Sequence, residues 1–179
     1  PHVQAWRNYL GFGVASAIIA QGCLESAYGR SNKGHNYHNY FGIKYKSGRV
    51  DCNDGYFTDT SSEQKPDGTY VIITTKWFSF PDMHEGVHGY FEFVDYPPYK
   101  DLKTATTPES YLQIIKSAGY ATSHDYIVNC MAIVTKYNLT QYDEVKPMYT
   151  NSSLVSYVDI TDHNYGLRSH AIDTITIHH

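Results

Sequence analysis

The sequence is poor in charge: Asp, Glu, Lys and Arg make up 18% of its 179 residues, and 14 basic against 18 acidic side chains leave a net charge of −4. A surface with no basic excess lacks the dense phosphate contacts that carry nucleic-acid binding, so nucleic acid is not an expected partner. Long apolar runs are missing too. No stretch approaches the roughly 18 residues that span a bilayer, and no membrane insertion is expected. The opening residues, PHVQAWRNYL, lack the charged-then-apolar order of a secretory leader. Cysteine is scarce: Cys23, Cys52 and Cys130 lie far apart with no C-x-x-C spacing. That pattern implies neither a zinc ribbon nor a disulfide framework and fits a reducing compartment of origin. A chain that opens on Pro1 and stops at His178-His179 reads as a processed piece, whose ends carry little weight.

What is present is an ample apolar fraction, 41%. The length suits one core of roughly 150 residues with an appendage, and excludes two full-sized enzymatic domains. Ten His residues would turn the net charge positive in acid, since their ordinary pKa is about 6.5. The compositional outlier is Tyr, 18 residues, which with 7 Phe and 2 Trp brings aromatics to 15%. An apolar ring face with a polar tip suits sugar rings, and equally suits ordinary half-buried packing.

Along the chain, Phe12 to Tyr28 (FGVASAIIAQGCLESAY) is small and apolar on nearly every face, with Gln21, Glu25 and Ser26 as its strongly polar members. This predicts a buried central helix stopped by Gly29. The polar run RSNKGHNYHNY then reads as a loop. Between Val50 and Phe80 the β-rich stretch Tyr70 to Thr75 follows the turn residues Pro66-Asp67-Gly68, which predicts a hairpin. Pro81-Asp82 opens a helix to about Val94, Thr107-Pro108-Glu109 one to Ala118, and Asp125 one to Tyr137. Strands clustered between helices, with no βαβ alternation, predict an α+β fold with a cleft between a helical lobe and a small β-hairpin lobe. PMYTNSSLVSY reads as a linker, and DTITIHH as a strand.

Glu25 is the most informative residue, because a carboxylate on the last turn of an apolar helix is costly unless something uses it. A carboxylic acid kept protonated near neutral pH is what a glycosidase needs to protonate a leaving oxygen. An outward-pointing Glu at a fraying helix end would look the same in sequence.

Several words in order go further. Ala20 to Ser31 (AQGCLESAYGRS), Asn39 to Lys44 (NYFGIK), Trp77-Phe78-Ser79-Phe80, Gly119-Tyr120-Ala121-Thr122 with Tyr126, and Tyr137-Asn138-Leu139 with Tyr142-Asp143 together resemble glycoside hydrolase family 73, the peptidoglycan-cleaving glucosaminidases of autolysins and phage endolysins. The resemblance spans roughly Val14 to Asp143. It implies a lysozyme-like fold, with Glu25 as general acid and no cofactor. The second carboxylate is expected in the β lobe, where Glu63 in SSEQKPDG is the best match and Asp51, Asp54, Asp59 and Asp67 crowd the same stretch. Tyr120 matches a cleft tyrosine near the reacting centre, taken as catalytic. Asn39, Phe41, Tyr126 and Tyr28 match substrate-binding or cleft-supporting positions. The family commonly has Trp or a similar aromatic at Tyr28 and Asp-Pro at Ser123-His124, so this chain departs from the pattern there. The expected substrate is the glycan strand of peptidoglycan, cut after N-acetylglucosamine by a monomer made in the cytoplasm and acting on the bacterial wall, as endolysins do.

Two further motifs involve histidine. His84-Glu85-Gly86-Val87-His88 fits H-E-x-x-H, but Gly86 and Gly89 weaken a helix and no third ligand follows, so no metal is expected in this region. Arg168 to His179 resembles the opening of zinc-dependent N-acetylmuramoyl-L-alanine amidases. This implies a truncated second domain with His178 as a possible ligand. The expected organisation is a glucosaminidase domain over 1–146, a linker over 147–160 and the amidase-like start over 161–179. Competing functions are a muramidase or lytic transglycosylase cutting the other glycan bond, a non-catalytic glycan-binding module, and a metalloprotease at HEGVH.

Overall fold

In the computed structural model, which describes residues 2–65 and 67–144, the chain forms α1 (His2–Leu10), α2 (Ala15–Glu25), α3 (Asn32–Tyr37), β1 (Tyr56–Gln64), β2 (Tyr70–Phe78) and α4 (Met83–Val94). A 3-10 segment (Pro97–Thr104), α5 (Pro108–Ser117), α6 (Tyr126–Lys136) and a short 3-10 turn (Leu139–Tyr142) follow. The expected linker, the amidase-like segment and His178 lie outside the described residues.

Helix α2 is the axis of the helical body. Ala15, Ser16, Ala17, Ile18, Ala20 and Gln21 are all fully buried. The small side chains let α5, α6 and the 3-10 turn at Leu139–Tyr142 pack directly on it. Val14, ahead of α2, supplies no side-chain cap. Asp143 does so from the far end of the domain, accepting from Ser16 N at 2.7 Å and from Ser16 Oγ at 2.6 Å. The carboxylate thus satisfies an orphan amide and sits at the positive end of the helix dipole. Arg7 fixes the same strap of chain, donating to the carbonyls of Tyr142, Asp143 and Glu144 at 3.0, 2.9 and 3.0 Å. The helix is shorter than its apolar composition predicts. Ala27, Tyr28 and Gly29 all take left-handed φ, at 49°, 59° and 78°. Ser26 makes that possible by donating its hydroxyl to the Gly22 carbonyl and accepting from Gly29 N.

The polar run after Gly29 is helical where a loop was expected. Ser31 caps α3 by accepting from Gly34 N. Gly34 lies against Ser26 and the Gly29 backbone, where a Cβ would come within 3.0 and 3.3 Å. Six polar residues leave no apolar periodicity to read, and the cap and this close contact hold the helix instead.

The hairpin forms as expected, antiparallel with Tyr56 opposite Phe78 and Gln64 opposite Tyr70, and β2 runs three residues past the predicted Thr75. Asp67 accepts from Thr69 N, and Gly68 takes φ 85° to close the turn. Phe57, Trp77 and Phe78 bury the root. The 43–45 segment pairs with the other edge of β2 through Tyr45 N to the Lys76 carbonyl and Phe78 N to the Ile43 carbonyl. Asp82 caps α4 through Glu85 N. The two glycines of α4 have a packing reason: a Cβ at Gly86 would overlap the His38 carbonyl, and one at Gly89 would overlap the Phe80 ring.

Candidate active site

Glu25 ends α2 and is half-buried. One helical turn earlier on the same face stands Gln21, whose amide anchors a buried chain of hydrogen bonds. Tyr90 pairs with the Tyr111 hydroxyl at 2.8 Å and donates to Gln21 Oε1 at 2.8 Å. Gln21 Nε2 donates to the Tyr126 hydroxyl at 2.9 Å. That hydroxyl is in turn hydrogen-bonded to Glu25. Four helices therefore meet in one polar thread that ends on the candidate acid. Burial pushes the Tyr126 phenol up, and the Glu25 charge pushes it further, so it stays protonated and able to donate. Gln21 was legible as a polar residue in an apolar helix, but its partners, 69 and 105 residues away, were not.

The opposite wall is the turn at Asn39–Lys44. A Cβ on Gly42 would lie 3.6 Å from Glu25 Oε2 and 3.9 Å from the Trp77 ring, so the carboxylate faces backbone where the helical body meets the hairpin root. Gly42 has φ 60°, which favours glycine. Asn39 holds this turn, accepting from Ile43 N at 2.9 Å and donating to the carbonyls of Ile43 and Phe78 at 3.0 and 2.9 Å. With 1% exposure for Asn39 and 3% for Phe41, both side chains are buried, as suits the cleft-supporting side of their expected role. The Phe41 ring stacks on Tyr90 instead. Tyr126, 4% exposed, acts inward in the same way. The Tyr120 hydroxyl donates to the Phe41 carbonyl at 2.6 Å. Burial, then Tyr126 and Glu25, push its phenol well up, so it holds the turn as a neutral donor.

Tyr28 is 44% exposed, edge-on to Tyr137 with Arg30 5.8 Å above its ring. It alone of the expected substrate-binding side chains is open to a ligand. In β1, Glu63 pairs with Val71 near the tip, and Asp59 pairs with Thr75. At about 3.4 Å per residue, position 63 lies about 20 Å along the strand from Phe57 at the root, and position 59 about 7 Å. Reaching a substrate held at Glu25 from position 63 therefore requires the hairpin to lean over the groove. Asp59 accepts from Asn32 Nδ2 at 3.1 Å, and this bond, then one from Thr60 N, holds its carboxyl below the usual range. Two cavities, of about 380 Å³ beside Tyr96 and about 290 Å³ beside Phe12, lie elsewhere; Glu25 lines neither.

The HEGVH segment is helical despite its glycine, and both of its histidines lie against Trp6. His84 meets His2 at 3.3 Å, whereas His88 stacks on Trp6 and approaches Glu85 and Glu92. Cys52 lies beside Glu85 and His88, a grouping that leaves His84 out. Sequence spacing gave no hint of it, since Cys52 is 33 residues away.

A helical body around one apolar helix, a two-stranded hairpin and a carboxylate at their junction define the lysozyme-like fold. The chain belongs to the glucosaminidase family, described as mannosyl-glycoprotein endo-beta-N-acetylglucosaminidase, which it matches over residues 3–139. It is 30% identical over 140 residues to the exo-glucosaminidase LytG of Bacillus subtilis, covering 74% of this chain and 47% of that protein. It is 30% identical over 118 residues to the peptidoglycan hydrolase FlgJ of Pseudomonas aeruginosa, covering 63% of this chain and 28% of that one. Among solved structures, the catalytic domain of the autolysin Auto from Listeria monocytogenes aligns with a TM-score of 0.62 at 25% identity, covering 79% of this chain and 81% of that one. The chain thus spans half or less of the curated relatives it matches.

Proposed function

We propose that this domain hydrolyses the β-1,4 bond after N-acetylglucosamine within the glycan strands of bacterial peptidoglycan, with Glu25 as general acid. The observation that carries the reading is the Glu25 carboxylate, held from behind by Tyr126 and facing the Gly42 backbone where helical body and hairpin meet. Family membership supports the same chemistry. Tyr120 and Asn39 keep the Gly42 turn at its distance, Tyr28 offers a ring face to a sugar, and Glu63 is the second carboxylate, brought over the groove by the hairpin. The likeness to FlgJ, a peptidoglycan hydrolase, supports peptidoglycan as substrate, and that to LytG, an exo-glucosaminidase, supports cleavage of a glucosaminide bond. The likeness of Arg168–His179 to amidase openings supports a further assignment, His178 as a zinc ligand of an amidase-like segment, tested by loss of a zinc equivalent bound without thiolate on His178→Ala.

Glu25→Gln keeps the shape and removes the proton, so wall lysis should fall by about 10²-fold to 10⁴-fold with the fold unchanged. Activity within a few-fold of the parent would sink the assignment. Reducing-end analysis of the digest should find N-acetylglucosamine; N-acetylmuramic acid ends would indicate the other bond. Glu63→Gln should impair lysis more than Asp59→Asn, and the reverse order would move the second carboxylate to Asp59.

A further inference from the structure

The loop ahead of the hairpin and the outer face of α4 bring unlike donor groups together. Glu85, His88 and Glu92 share one face of α4, and Cys52 reaches that face from the loop. The ligand atoms of Cys52, Glu85 and His88 all lie within 4.8 Å of one another. His88 Nδ1 is 3.0 Å from Glu85 Oε2, and its Nε2 is 3.5 Å from Glu92 Oε1. Glu92 is itself held by the amides of Asp51 and Cys52, at 2.7 and 3.4 Å. We propose that Cys52, Glu85 and His88, the last through Nδ1, form a zinc site that ties the loop before β1 to α4, with Glu92 accepting from the other ring nitrogen, Nε2.

The donor set argues for this metal. One thiolate, one imidazole and carboxylates are the ligands zinc takes in tetrahedral sites, whereas Mg²⁺ and Ca²⁺ favour oxygen alone. Zinc bonds of about 2.0 to 2.3 Å place tetrahedral ligand atoms about 3.3 to 3.8 Å apart. The three ligand atoms lie within 4.8 Å of one another, and Glu85 is 3.0 Å from His88 Nδ1, so the groups are already gathered near that spacing. His88 lies flat on Trp6, centroids 3.8 Å apart at 7°, which fixes the imidazole plane. Both ends of the tie are structural, and the site shares no residue with the surroundings of Glu25. The zinc is a staple rather than the metal of an H-E-x-x-H protease, because His84 is not among the clustered ligands and meets His2 instead.

The test uses the full chain, stripped with chelator and titrated with Co²⁺ or Zn²⁺. One equivalent of metal should bind through thiolate, Co²⁺ should show a thiolate charge-transfer band in the near ultraviolet, and Zn²⁺ should raise the Tm. Cys52→Ser should abolish the band and weaken Zn²⁺ binding at least tenfold, while Cys23→Ser and His178→Ala should keep the band. If Cys52→Ser fails to fold by circular dichroism, His88→Gln carries the same expectation. Absence of the band, its survival in Cys52→Ser or in a folded His88→Gln, or a Zn²⁺ affinity indifferent to both variants would overturn the proposal.

Discussion

Tyr126 spends its hydroxyl twice, accepting from Gln21 and bonding to Glu25. Tyr126→Phe therefore removes a support of the acid and leaves a buried amide hydrogen unpaired. A single hydrogen bond to a charged group is worth about 1.5 to 3 kcal/mol. We expect kcat to fall by about tenfold or more with KM little changed, and urea unfolding to show a stability loss of about 1 to 3 kcal/mol. An unchanged kcat with lowered stability would make Tyr126 a packing residue only. At the hairpin, Asn32→Ala should raise the Asp59 carboxyl toward its ordinary range in an NMR titration, because the Asn32 bond is the largest influence holding it down. The sign follows. A depressed carboxyl stabilises the fold above its unfolded pKa, and that contribution disappears as pH falls through the folded value, so the variant should lose it at a higher pH. Glu25 was legible at this scale because a lone carboxylate in an apolar helix stands out; Gln21 had the same mark, but its role depends on three tyrosines that only the fold assembles.

Four elements, α2, the hairpin, α4 and α5, follow from periodicity, turn chemistry and caps, since each carries its own local cues. Helix α3 and the early end of α2 do not. Both depend on Ser26, Gly29 and Gly34 packing on one another, a contact that no local preference announces. The glycines of α4 misled the sequence reading in the other direction: they looked like weak points, and they are where the 38–42 turn and Phe80 come closest. Gly86→Ala, which on helix propensity should stabilise by up to about 1 kcal/mol, should instead destabilise by about 1 to 3 kcal/mol in chemical denaturation, because the obstructing atom is backbone. Since that turn carries Gly42, lysis should fall with it.

Over the molecule as a whole, the class was readable from ordered words, and the relation between the lobes was not, because it rests on buried pairs such as Asn39 with Phe78 that no local pattern announces. The chemistry proposed for Glu25 uses carboxylates alone. Glycan cleavage at moderate temperature should therefore persist in EDTA, measured as release of reducing ends; loss on chelation from a domain still folded by circular dichroism, with recovery on added zinc, would place a metal in the reaction itself. The clasp of Arg7 on residues 142–144, with Asp143 capping the central helix, also bears on how such a domain is built into larger proteins. Its first and last turns are stitched at one spot, so a polypeptide passing through it enters and leaves by the same door. Neighbouring modules on either side could then be exchanged, or the old ends joined and new ones opened at the hairpin tip, without disturbing the groove.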